Sequence, residues 1–75
     1  MRFIEMTGKV LATMLSDDEM QASDLKTAGV NDETIVRVNE HGDIEVRRDS
    51  EWDVVGGLLG SYEDRVKQAT GRDWA

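Results

Sequence analysis

Residues 34–48 read as two short strands joined by a tight connector, and a hairpin in so short a chain obliges the remaining residues to pack on it. Thr34-Ile35-Val36-Arg37-Val38 and Asp43-Ile44-Glu45-Val46-Arg47-Arg48 place β-branched residues at alternate positions, around the polar Asn39-Glu40-His41-Gly42. Alternation bounded by turn residues, with a glycine near the end of the connector, is the signature of a hairpin with a four- or five-residue loop. A hairpin alone is marginal in water. Residues 2–6, with Phe3 and Ile4, alternate loosely and supply a third strand.

The other segments read as helices. Thr7 is an N-cap for a helix over 8–15, with Val10, Leu11, Met14 and Leu15 on one face; a strand over 9–13 after a Thr7-Gly8 turn fits the pattern less well. Continuing that face would bury Asp18, so a new segment starts at Ser16. Ser16-Asp17-Asp18-Glu19 has capping-box spacing. Met20, Leu25 and Ala28 form a thin apolar stripe behind it, Gly29 is a left-handed stop, and residues 30–33 are loop. After the hairpin, Ser50 with Asp53 three residues on reads as the start of the longest helix. Its face is Val55, Leu58, Leu59, Tyr62, Val66 and Ala69, and Gly71 ends it. Gly56, Gly57 and Gly60 each cost such a helix up to about 1 kcal/mol, which close packing would explain. The competing reading makes residues 52–55 a strand, Gly56-Gly57 a turn, and starts the helix near Leu58. The favoured expectation is one α+β domain over residues 1–75 in the order β-α-α-β-β-α. Its three-stranded, mostly antiparallel sheet is packed on one face by two or three helices.

Composition limits the function. With 39% hydrophobic residues but 5% aromatic, the core must be aliphatic, and a domain of this size gains from association. A homodimer is therefore expected. There is no cysteine to make a disulfide or a thiolate metal site. Neither a signal-peptide pattern nor an apolar run of about 20 residues is present, so the cytoplasm is the expected compartment and no membrane is involved. The net charge of −7, from 16 acids and 9 bases, disfavours phosphate backbones. Residues 16–33 carry six acids against Lys26, a balance of −5, which makes one edge negative; residues 34–48 balance.

No catalytic constellation stands out. His41, the only histidine, lies in the hairpin connector and reads as an exposed turn residue rather than a base or ligand. The acids at 17–19 and 49–53 lack the glycine and distal glutamate of a calcium loop. The glycines at 56, 57 and 60 lack the lysine and βαβ context of a phosphate loop. No serine lies near the lone histidine in sequence. The expectation is a non-enzyme with no cofactor, metal or small-molecule ligand. Trp52, Tyr62 and Trp74 are candidate interface anchors, and Asp17, Asp18 and Glu19 the candidate acidic contact. Arg37, Arg47 and Arg48, with Arg2 nearby, offer an arginine strip on the sheet, although Glu45 alternates with them and cross-strand ion pairs are the simpler account. The expected function is that of a small, acidic, bacterial-type interaction module or accessory subunit. A nucleic-acid-binding regulator using the strip is the alternative, and a small enzyme or metal binder centred on His41 a second one.

Overall fold

The structure, a computed structural model, describes residues 1–74. Four strands, β1 (Phe3–Thr7), β2 (Ile35–Asn39), β3 (Asp43–Arg48) and β4 (Glu51–Gly57), form one antiparallel sheet in the order β1-β2-β3-β4. Three helices accompany it: α1 (Gly8–Met14), α2 (Ala22–Thr27) and α3 (Tyr62–Thr70). The α+β class and the hairpin are as the sequence predicts. Val36 lies opposite Val46, Arg37 opposite Glu45 and Val38 opposite Ile44, while β1 adds Ile4 opposite Val38 and Met6 opposite Val36.

Alternation sends Ile4, Met6, Val36, Val38, Ile44 and Val46 to one face, where all are buried. Leu11 and Met14 of α1, Leu25 of α2 and Val66 of α3 join them in one cluster. This packing, at roughly 1.5–3 kcal/mol per fully buried large aliphatic side chain, is what holds the helices. The longest has nine residues, fewer than the ~12–15 that an isolated helix needs in water.

Helix ends follow the local chemistry. The Thr7 hydroxyl accepts the Val10 N–H at 3.4 Å. At the end of α2, Gly29 takes φ +79; its N–H donates to the Lys26 carbonyl at 3.0 Å and the Val30 N–H to the Leu25 carbonyl at 2.8 Å. Those two bonds make a Schellman cap, with buried Val30 and Leu25 as its apolar contact. Gly71, at φ +68, ends α3 as predicted.

Two expectations are corrected. Residues 51–57 are a fourth strand, so the sheet is not three-stranded and Ser50 caps no helix. Asp49 and Ser50 form a two-residue turn, with Asp49 at φ 52, which returns the chain alongside β3 and sets Arg47 opposite Trp52. The glycines that would tax a helix suit this path: a Cβ on Gly56 would lie 2.6 Å from Met20 Sδ, so the bare backbone lets Met20 lie directly on the strand. The register then shifts at Ile44/Glu45, leaving Val55 as the extra residue of a bulge. The second correction is that α2 starts at Ala22, not Ser16. Glu19 turns back to its own turn and to Arg65, and the working cap is Gln21, whose N–H donates to Asp24 Oδ2 at 2.9 Å.

Candidate functional site

The second face of the sheet carries no helix, and the pairing register fixes what it displays. Glu5, Arg37, Glu45 and Val54 form one row across all four strands. Phe3 pairs with Asn39 and Asp43 with Gly57 on one side of that row; Thr7 pairs with Ile35 and Arg47 with Trp52 on the other. Ile35 is 43% exposed and Val54 60% exposed.

Arg37 is the centre of this face. Its guanidinium carbon lies 3.7 Å from the centroid of the Phe3 ring and 4.1 Å from that of Trp52. Its Nη2 and Nε donate to Glu45 Oε1 at 3.0 and 3.3 Å. Glu45, only 7% exposed, also accepts from Asn39 Nδ2 at 3.3 Å, and the same amide donates to Asp43 Oδ2 at 3.0 Å. Asn39 Oδ1 in turn accepts the N–H groups of His41 (2.9 Å) and Asp43 (3.1 Å), which shapes the hairpin loop. The network is therefore hydrogen-bonded from within: Arg37 balances Glu45, and the Asp43 carboxylate is held by the Asn39 amide. Each cation–π contact contributes about 0.5–2 kcal/mol depending on desolvation, so Arg37 stiffens the face. The result is a patch of two rings and two exposed aliphatic side chains around the Arg37–Glu45 ion pair. It is suited to contact recognition and offers no activated nucleophile.

The residues singled out from sequence fall in different places. Trp52 belongs to this face. Tyr62 does not: its hydroxyl donates to the Glu40 carbonyl at 2.9 Å and its ring lies against Gly42, under the hairpin loop. Trp74 folds back, half-buried, against the core. Asp17 and Asp18 are exposed. Glu19 has a side chain only 1% exposed, and its carboxylate accepts from Ser16 N (2.9 Å), Ser16 Oγ (3.0 Å), Leu59 N (2.6 Å) and both terminal nitrogens of Arg65. Burial alone would raise its pKa, but the Arg65 guanidinium and the Ser16 and Leu59 N–H groups outweigh that and hold it down at about 2. Arg65 also donates to the carbonyls of Met14 and Leu59, each at 3.1 Å. Glu19 is thus an internal tie from the 16–20 turn to α3 through Arg65 and to the segment before it through Leu59.

Arg37 and Arg47 share the open face, whereas alternation puts Arg48 on the other. There Arg48 donates to the Ala28 carbonyl at 2.6 Å and pairs with Asp53 at 3.0 Å. Arg2 pairs with Glu40 at 3.3 Å. His41 is exposed in its loop, and among the described residues no three His, Cys, Asp or Glu side chains converge to hold a metal ion. No described helix is long and apolar enough to cross a membrane. Sequence reasoning missed Phe3, Ile35 and Val54 as site residues; the alternation of Trp52 with Val54 after the Asp49-Ser50 turn was the available signal. No protein-family model matches the chain, and neither a curated protein nor a solved structure is significantly similar to it.

Proposed function

We propose that the protein acts without catalysis, as a cytosolic interaction module or accessory subunit that binds another protein through the helix-free face of its sheet. The observation that carries this is the exposure of Ile35 and Val54 beside Phe3 and Trp52, on a face whose central charges already satisfy each other. Apolar and aromatic side chains rimmed by charge are the anatomy of a binding patch. Three rows over four strands span roughly 20 by 20 Å at 4.8 Å between strands and 6.8 Å between alternate residues. That is roughly 400 Å2, about half of what one partner contributes to a stable standard interface, so adjoining surface must add to it.

A nucleic-acid-binding role is the second reading. It is favoured by one observation: Phe3 and Trp52 flank an arginine on an open sheet, the arrangement on which bases stack. The engagement of Arg37 by Glu45 and the net charge of −7 weigh against it. Capture by a tagged copy from lysate of the native cell separates the two. A stoichiometric protein that survives nuclease and moderate salt supports the interaction module; nucleic acid that leaves steeply with salt moves the assignment to the regulator.

A further inference from the structure

We infer that the free edge of β4 accepts an extended, basic peptide as a fifth strand. This rests on the interaction-module reading and names its partner's chemistry. The backbone bonds identify the edge. The Gly8 N–H donates to the Thr34 carbonyl at 2.8 Å and the Glu40 N–H to the Arg2 carbonyl at 3.0 Å, so the even-numbered residues of β2 bond to β1. By antiparallel alternation its odd-numbered residues bond to β3, and Ile44, Val46 and Arg48 turn to β4, opposite Gly56, Asp53 and Glu51. The N–H and C=O groups of Trp52 and Val54 consequently point out of the sheet, a template for strand addition.

The two edges are not equivalent. Along β1, Thr70, Arg72 and Asp73 line the hollows beside Phe3, Glu5 and Thr7, so the end of α3 and the tail accompany that edge. Beside β4 runs a groove of about 400 Å3 whose walls include Met20, Asp24, Ala28 and Val55. A strand laid on β4 would turn alternate side chains into this groove and toward the open face.

Charge selects the occupant. Asp24, on the wall of the groove, and Glu51, on the strand itself, flank the edge, and neither is in an ion pair among the described residues. Lys26 is the one cation of α2, and Arg48 is engaged by Asp53. A second copy of this chain would bring Glu51 and Asp53 against their own like, beside a bulge that already bends the strand. A peptide alternating basic and apolar residues meets the acids with one set of side chains and the groove or face with the other.

The test is fluorescence anisotropy with a short labelled peptide of alternating lysine and valine, against one of glutamate and valine. Val54→Pro removes a donor that points outward and leaves the β3 ladder intact. The lysine peptide is expected to bind, to lose at least about tenfold in affinity with Val54→Pro and with Asp24→Asn plus Glu51→Gln, and to shift the Trp52 and Val54 amide resonances of the wild-type protein. The amide shifts decide the matter if Val54→Pro does not fold. Equal binding of both peptides, binding indifferent to Val54→Pro, or self-association abolished by that substitution would overturn the inference. If neither peptide binds while a partner is still captured through Ile35 and Val54, the edge inference fails and the interaction module stands.

Discussion

Replacing Glu19 with glutamine should cost the fold about 3 kcal/mol at neutral pH, and most of that cost should vanish in acid. The carboxylate is buried, accepts five hydrogen bonds and is held at a pKa of about 2 against an ordinary 4.5. At 1.36 kcal/mol per pKa unit, a depression of about 2.5 units corresponds to roughly 3 kcal/mol. Because the folded pKa lies below the unfolded one, this stability is complete above about pH 4.5 and is lost as pH falls through 2. A chain of 75 residues has roughly 4–11 kcal/mol in all, so the effect is a large share of it. Urea denaturation of Glu19→Gln and wild type at pH 7, 4 and 2 measures it directly. A wild-type advantage of about 3 kcal/mol at pH 7 is expected, equivalent to about 12 °C or more in midpoint, shrinking steeply between pH 4 and 2. An advantage below about 1 kcal/mol at pH 7, or one equally large at pH 2, would refute the tie between Glu19 and Arg65.

The remaining expectations concern other contacts. Gly8→Ala drives a Cβ into the Asn31 carbonyl oxygen and should lower stability by about 3 kcal/mol, since backbone has to move; a loss under about 1 kcal/mol in a thermal melt would contradict this. Tyr62→Phe deletes only the bond to the Glu40 carbonyl and should cost about 1 kcal/mol in urea denaturation. Arg37→Ala strands buried Glu45 without its cation and should cost about 3 kcal/mol, whereas exposed Arg47→Ala should cost under about 0.5 kcal/mol. Equal losses for the two arginines would show that Arg37 is not the keystone of the open face.

What the sequence made legible is what neighbours decide. The hairpin is written in the alternation of Ile35 to Val38 and Ile44 to Val46, α1 in Thr7 and the spacing of Leu11 and Met14, and two helix stops in Gly29 and Gly71. β4 was obscured because Val55, Leu58, Tyr62 and Val66 fall at helical spacings, while the bulge at Val55 breaks the alternation that would have announced a strand. Of the capping box that Ser16 and Glu19 spell, only one half forms: the Ser16 N–H donates to Glu19, but the Ser16 hydroxyl donates to the same carboxylate and no helix begins there. The meaning of Glu19 was set by Arg65, 46 residues further on, which no local pattern contains. The open face was invisible for the same reason: Phe3, Arg37 and Trp52 meet only through the register of four strands.

The most direct measurement is a parallel capture from native lysate with wild-type protein and with Ile35→Asp combined with Val54→Asp, each melted beforehand. Both side chains lie outside the core, so the variant should melt within a few degrees of wild type. A protein partner present in stoichiometric amount on the wild type and absent from the folded variant is the predicted result. The same partner retained on both would contradict the assignment of the helix-free face as the binding surface.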